Sequence, residues 1–141
     1  MRCVVDASVV IKLFVDEELS QPARKLFEGI ANPNPDEFYV PDLLFPECSN
    51  VLWKYVRFYN YESKLARENL ADLTELAFQV VPTGELVKGA FEIAINRSIT
   101  IYDACYVTLA VQLDLPLITA DKKLVNHLEG IGLLIQFLGD L

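Results

Sequence analysis

Residues 2–14, RCVVDASVVIKLF, decide the fold of this chain. The valine-rich run over 2–6 predicts a short buried strand, and the apolar stretch from Ala7 to Phe14 predicts a turn of helix directly after it. An acid, Asp6, stands at the junction of the two elements. A short apolar strand that passes directly into a helix is typical of a parallel sheet that is covered by helices.

The rest of the chain repeats this alternation of apolar strands and helices. Further strands are predicted at 38–41, 78–81, 115–119 and 133–137. Helices are predicted from 16 with Ser20 as a cap, over 42–60 with Asp42 as a cap, over 62–76, over 83–96 with Thr83 as a cap, over 103–113, and over 121–128. The class is therefore α/β. We expect a three-layer α/β/α sandwich with a central, mostly parallel sheet of four to five strands, in one domain over 1–141.

The amino-acid composition argues against a disordered chain and against a membrane protein. The chain has 141 residues, of which 52% are apolar, so intrinsic disorder is excluded. No apolar stretch reaches the roughly 18 residues of a membrane span, and Asp6 and Lys12 interrupt the one segment that resembles a signal peptide. We therefore expect a cytoplasmic protein without a membrane partner. The three cysteines lack C-x-x-C spacing and are predicted to be buried, reduced thiols.

Three more acids resemble Asp6 in lying where an acid is energetically costly. They are Glu47 in LLFPECSNVLW, Asp103 in TIYDACYVTLA and Asp121 in PLITADKKL. Each aspartate has an ordinary explanation as a helix cap. Glu47 has none, because its neighbours one turn away are apolar and a buried carboxylate needs a partner; Lys12 is the ordinary candidate for that partner.

The four acids can project toward one edge of the sheet, because ligands of open parallel sheets bind beyond the carboxyl ends of the strands. Two carboxylates about 4 Å apart repel each other by about 4 kcal/mol at an effective dielectric constant of 20. A cation relieves such repulsion, and oxygen donors without a histidine or cysteine set favour Mg²⁺ or Mn²⁺. Such a site suits phosphodiester cleavage. The net charge of −8 weakens a nucleic-acid hypothesis without excluding it, since part of that charge belongs to the site itself.

Four segments, VVDASVVIKLF, PECSNVLW, IYDACYVTLA and LITADKKL, resemble the PIN-domain ribonucleases in their order and spacing, and most closely the VapC-type toxins of toxin–antitoxin pairs. The resemblance covers essentially the whole chain. It implies a single PIN domain over 1–141 and an endoribonuclease that depends on Mg²⁺ or Mn²⁺. It also implies an RNA substrate, a cognate antitoxin that holds a type II toxin inactive, and a homodimer.

The resemblance also implies roles for individual residues. Asp6, Asp103 and Asp121 become metal ligands, either directly or through water, and Glu47 becomes a ligand or orients the attacking water. The polar residues that support this acidic quartet are Ser8, Asn50, Thr100 and Thr119. For Ser8 and Thr119, ordinary turn or cap bonding explains the residue equally well.

Substrate contacts are predicted from basic and aromatic residues. The candidates for phosphate contacts are Lys12, Lys54, Arg57, Arg97, Lys122 and Lys123, although each alone is better explained as a solvated surface charge. In WKYVRFYNY (53–61), stacking on single-stranded RNA is one interpretation. Helical spacing predicts that Trp53 and Val56 belong to the core. It favours a dimer contact or an antitoxin groove for the remaining aromatics, Tyr55, Phe58, Tyr59 and Tyr61.

Three alternatives differ in class from a nuclease. A non-catalytic PIN-like module would bind RNA or protein without metal-dependent cleavage. A phosphoacceptor receiver domain usually carries an acidic pair after its first strand, whereas this chain has Asp6 followed by Ala-Ser. A haloacid-dehalogenase-type phosphatase needs D-x-D, and D-A-S lacks the second aspartate. The last two are therefore disfavoured.

Overall fold

A five-stranded sheet forms the centre of the protein in a computed structural model that describes residues 1–141. The strands are β1 (Arg2–Val5), β2 (Glu37–Pro41), β3 (Gln79–Val81), β4 (Leu117–Thr119) and β5 (Ile135–Phe137). They lie in the order β3-β2-β1-β4-β5, and every neighbouring pair is parallel. The predicted α/β class with a mostly parallel sheet is confirmed, and the sheet is entirely parallel.

Helices flank the sheet and complete the three-layer α/β/α sandwich. They are α1 (Ala7–Val10), α2 (Ser20–Phe27), α3 (Leu44–Phe58), α4 (Ser63–Glu75), α5 (Val87–Arg97), α6 (Ile101–Leu113) and α7 (Lys122–His127). Short 3₁₀ turns at Ile11–Leu13, Glu28–Ala31, Thr83–Glu85 and Leu138–Asp140 extend or precede these elements. None of the helices is long and apolar enough to cross a membrane.

The strand order reverses beside β1, and this reversal positions the site. From β1 the chain builds β2 and β3 on one side of the sheet, then returns to place β4 against the other side of β1. Val5 is paired with Ile118, so β1 and β4 end at the same level. A crevice opens beyond the carboxyl ends of the strands at such a switch point, because the helices that follow the two strands diverge.

The core is formed by β1, the other central strands and α6. In β1, Cys3, Val4 and Val5 are fully buried, as is typical of a strand that is covered on both faces. Helix α6 is buried continuously from Ala104 to Ala110, because it packs against β1 and β2 and also against α5. A helix that is apolar on all sides is expected in such a central position.

Two predicted helix caps form a tertiary contact instead. The Asp42 carboxylate accepts hydrogen bonds from the Thr83 backbone N–H (2.9 Å) and from the Thr83 hydroxyl. The Thr83 hydroxyl in turn accepts from the Leu43 N–H (3.0 Å). The loops that follow β2 and β3 are tied together by these bonds, so the predictions that Asp42 caps α3 and that Thr83 caps α5 are wrong.

Three other local predictions are also corrected. Ser20 is the first residue of α2 and not its cap; its hydroxyl donates to the Val15 carbonyl (3.0 Å). Helix α6 begins at Ile101, and Thr100 is its cap, so Asp103 lies inside the first turn. Trp53 is 55% exposed and does not belong to the core, because no element covers that face of α3.

Candidate functional site

The ends of β1 and β4 hold Asp6 in a network of hydroxyl groups. Asp6 caps α1, where its carboxylate accepts from the Val9 N–H (3.3 Å). The hydroxyls of Ser8 and Thr119 both donate to the same carboxylate. The Ser8 oxygen accepts from the Ala120 N–H (3.0 Å), so the network joins the two strand ends and fixes the orientation of Asp6.

Burial raises the pKa of Asp6. The residue is only 5% exposed, and loss of hydration raises the pKa of its carboxyl from 3.8 to about 6. The bonds from Ser8, Thr119 and Val9 oppose this rise, because they favour the charged form, whereas the negative charge of Asp103 adds to it. Asp6 is thus a buried carboxylate in the field of a second acid.

Glu47 is held by a tyrosine from the central helix. It lies in the first turn of α3, and the hydroxyl of Tyr106 donates to its Oε1 at 2.7 Å. Tyr106 is 1% exposed. Partial burial raises the pKa of Glu47; the Tyr106 bond lowers it, and the charge of Asp103 raises it further.

Asp103 and Asp121 complete the group of acids. The Thr100 hydroxyl accepts from the Asp103 N–H (3.0 Å) and thereby caps α6. Partial burial and then the charge of Asp121 raise the pKa of Asp103. Asp121 caps α7 and accepts from the N–H groups of Lys123 (2.9 Å) and Leu124 (3.2 Å).

All four acids line one cleft of about 350 Å³ beyond the carboxyl ends of β1 and β4. None of them takes part in a salt bridge. Lys12, the expected ordinary partner of Glu47, pairs instead with Glu17 at 2.8 Å. The cleft therefore concentrates negative charge without a bound side-chain cation.

The donors of this cleft fit a hard divalent cation. They are carboxylate oxygens, which Mg²⁺ and Mn²⁺ prefer. Burial raises the pKa values of Asp6, Glu47 and Asp103, and the charge of a neighbouring acid adds to each rise; a cation would offset that repulsion. In the present side-chain arrangement no three acids are close enough to share one ion. That spacing is compatible with Mg²⁺, which is usually bound through one or two carboxylates and keeps several waters.

The four polar residues predicted to support the quartet occupy different positions around it. Ser8 and Thr119 contact Asp6 directly. Asn50 lines the same cleft, one turn beyond Glu47. Thr100 contacts the backbone of Asp103 as the cap of α6.

The basic residues predicted to contact substrate lie mostly outside the acidic cleft. Lys12 and Lys122 line a neighbouring cleft, where the Lys122 Nζ lies 5.0 Å from the centroid of the Phe137 ring. Arg97 donates to a backbone carbonyl, that of Glu129 (2.6 Å). Lys123 is exposed in the first turn of α7. Lys54 is the basic residue that the structure places in the cleft lining.

Tyr106 is the residue of this cleft that the sequence reasoning missed. Its sequence signal is a tyrosine three residues after Asp103 in a helix that is mostly apolar. A buried tyrosine hydroxyl usually finds a hydrogen-bond partner, so a helix predicted to be central already indicates a polar contact at this position. The identity of the partner, 59 residues away along the chain, is not encoded locally.

Comparison with known proteins relates this arrangement to a family. A family model described as PIN domain matches residues 3–128. The chain is 36% identical over 133 residues to Ribonuclease VapC3 of Pyrobaculum aerophilum, a match that covers 93% of this chain and 98% of that protein. It is 32% identical over 126 residues to Ribonuclease VapC1 of Mycobacterium tuberculosis, which covers 87% of this chain and 88% of that protein.

Solved structures share the fold at low sequence identity. VapC20 of Mycobacterium tuberculosis, described as a sarcin–ricin loop cleaving toxin, has a TM-score of 0.66 and 14% identity, covering 88% of this chain and 93% of that chain. A chain of VapBC2 from Rickettsia felis, solved with a promoter DNA fragment, has a TM-score of 0.68 and 10% identity, covering 97% and 98%. The family model spans nearly the whole α/β/α unit, including all four acids of the cleft, and this chain belongs to the PIN domain family.

Proposed function

We propose that this protein is a ribonuclease that requires Mg²⁺ or Mn²⁺ and hydrolyses RNA phosphodiester bonds as the toxin of a type II toxin–antitoxin pair. One observation carries the proposal: four carboxylates line one cleft, and none of them has a basic partner. The relatives named ribonuclease VapC support the reaction class. PIN-domain ribonucleases generally use a divalent metal, which agrees with the donor set of this cleft.

The proposed roles follow from the positions of the acids. Asp6, Asp103 and Asp121 would hold the ion, directly or through water, and Ser8 and Thr119 keep the Asp6 carboxylate aimed at the cleft. A bound ion would supply Lewis-acid stabilisation of the negative charge that develops on the phosphodiester.

Glu47 has the proposed task of orienting the attacking water and accepting its proton. One of its oxygens is fixed by the Tyr106 hydroxyl, so the other is available to a water in the cleft. The elevated pKa of Glu47 suits this task, because a general base works best when its pKa lies closer to the operating pH.

The test is cleavage of structured and single-stranded RNAs by the purified protein with Mn²⁺ or Mg²⁺. We expect Asp6→Asn and Asp103→Asn to lower the rate by about 100-fold or more, and EDTA to abolish it. Asp72→Asn is the matched control, because Asp72 is an exposed acid of α4 outside the cleft. Equal cleavage by the wild type and both cleft variants would refute the site.

A non-catalytic PIN-like module is the second candidate, favoured by the separation of the acids, no three of which are close enough to share an ion. It predicts RNA or protein binding that persists in EDTA, without cleavage. The two candidates therefore separate in the same experiment.

A cognate antitoxin and a homodimer complete the proposal. Helix α5 presents Val87, Phe91 and Ile95, spaced by four residues and 40%, 55% and 59% exposed, as an apolar stripe that a second copy could cover. The antitoxin is tested by searching for a short open reading frame next to the gene and co-expressing it, which should suppress cleavage if it encodes the antitoxin. The cytoplasmic location stays a prediction from the sequence.

A further inference from the structure

A second groove continues the acidic cleft along α3. This aromatic groove has a volume of about 650 Å³, and its walls include Tyr55, Tyr59 and Tyr61. Val51 and Lys54 line both the acidic cleft and the aromatic groove, so the two cavities are adjacent on the surface of α3. A chain bound at the acids can therefore extend into the aromatic groove without leaving the surface.

Lys54 lies at the junction and is available to an anion. It is the only basic residue in the lining of either cavity, and it forms no salt bridge. Seven residues separate Lys54 from Glu47 on one face of α3, which corresponds to about 10 Å along the helix axis. At that distance Lys54 can contact the phosphate next to the one bound at the acids, but not that phosphate itself.

Two of the three groove tyrosines are held by hydrogen bonds, and the ring of the third is exposed to solvent. The Tyr55 hydroxyl donates to Glu17 at 2.6 Å, and the Tyr61 hydroxyl accepts from the Asn69 side chain. The ring centroid of Tyr55 lies 5.5 Å from that of Tyr59 and 5.9 Å from that of Tyr61. Tyr59 is 72% exposed, so its ring offers an aromatic face to a ligand.

We propose that the aromatic groove binds a nucleotide of single-stranded RNA beside the cleaved bond, with its phosphate on Lys54 and its base stacked on Tyr59; this inference rests on the proposed ribonuclease function. A positive charge followed by an exposed aromatic ring is the combination that binds single strands without sequence preference. The single acid of the groove, Asp16, faces Arg24 at 3.6 Å. In a chain of net charge −8, a free lysine beside the acids gives the RNA backbone a favourable contact.

The experiment measures binding without turnover. A single-stranded oligouridylate with one internal 2-aminopurine is titrated in Mg²⁺ against the Asp103→Asn protein, alone and combined with Tyr59→Ala, Lys54→Ala or Phe58→Ala. Phe58 is the matched control, because it is the preceding aromatic, is 63% exposed, and packs against Trp53 outside the groove. Anisotropy of a labelled strand reports affinity, and quenching of 2-aminopurine reports stacking.

We expect Tyr59→Ala to raise the Kd about tenfold and to remove the quenching, with the salt dependence unchanged. Lys54→Ala should also weaken binding and reduce the slope of log Kd against log salt by about 0.7, the value for one phosphate contact on a single strand. Phe58→Ala should match the parent protein in both measurements.

The inference would be overturned by no binding of oligouridylate, or by equal binding and quenching for Tyr59→Ala and Phe58→Ala. It would also be overturned if Tyr59→Ala left RNA binding unchanged but released a co-expressed antitoxin, because the groove would then be a protein site. Tyr59-dependent binding without any cleavage by the wild type would keep the inference and reject the proposed ribonuclease. RNA cleavage that is the same with and without the Tyr59 ring would support the proposed ribonuclease and reject the inference about the groove.

Discussion

Replacing Asp6 with asparagine is expected to stabilise the metal-free protein at neutral pH. In the wild type, burial raises the pKa of this carboxyl from 3.8 to about 6. A group whose pKa is raised in the folded state contributes stability below its unfolded pKa and loses it as the pH rises through the folded pKa. The ionised Asp6 therefore destabilises the folded chain progressively between about pH 4 and pH 6, and fully above that range.

The magnitude follows from the pKa difference. A rise of about two units, at 1.36 kcal/mol per unit, amounts to about 3 kcal/mol. The asparagine retains the contacts: its oxygen accepts from Ser8 and Val9 as Oδ1 of Asp6 does, and its amide donates to Thr119. The Thr119 hydroxyl then turns toward the Ser8 oxygen, 3.4 Å away. The amide thus removes the charge without leaving a buried group unpaired.

The assay is urea unfolding in EDTA at about pH 4 and about pH 7.5, where the linear dependence on denaturant gives the free energy of unfolding. Between these conditions, the stability of Asp6→Asn relative to the wild type should increase by about 3 kcal/mol, or about 10 °C in Tm for a chain of this length. Asp72→Asn should show no such change. Mn²⁺ should stabilise the wild type more than Asp6→Asn, because only the wild type keeps the full set of acids.

A relative stability of Asp6→Asn that is the same at both pH values would refute this reasoning. It would mean that the carboxylate is hydrated or neutralised within the fold. If the Asp6→Asn protein is less stable than the wild type at neutral pH, the hydroxyl network contributes more to stability than removal of the buried charge does.

Three further predictions concern the cleft, the surface and the thiols. Tyr106→Phe should lower the free energy of unfolding by about 1–3 kcal/mol and slow RNA cleavage, because Glu47 loses its 2.7 Å donor; unchanged urea unfolding and cleavage would contradict this. Phe91→Asp should convert a dimer to a monomer in size-exclusion chromatography with light scattering, whereas Phe58→Asp should not; an unchanged mass for Phe91→Asp would exclude the α5 stripe as the contact. All three cysteines are buried, and burial raises the pKa of the Cys48 thiol to about 12, so the native protein should resist Ellman's reagent until urea exposes the thiols. Rapid reaction in the native state would contradict the packing.

The elements predicted best were those whose signal is local. The strands of a parallel sheet are apolar on both faces, so RCVV and LIT stand out in the chain without reference to their neighbours. Helix caps were predicted less well, because a short polar side chain can bond to a distant partner as readily as to its own helix. Asp42 and Thr83 do so: they bond to each other across 41 residues.

Burial on a helix face was also only partly predictable. The spacing of Trp53 in α3 matched an inward position, yet the residue is 55% exposed, because periodicity identifies a face but not whether another element covers it. The same limit applies to Glu47. Its apolar neighbours indicated that it needs a partner, but they did not indicate that the partner is Tyr106 and not Lys12.

The sequence by itself determined the α/β alternation and the four acids at element junctions, since both follow from the order of residues within short segments. Only the tertiary structure decided which of these segments are neighbours. The reversal of strand order beside β1 brings Asp6 to Thr119, which is 113 residues away, and brings Asp6, Glu47, Asp103 and Asp121 into one cleft. Burial and charge repulsion both depend on which groups lie nearby in space, so the raised pKa values belong to the fold and not to the sequence motifs.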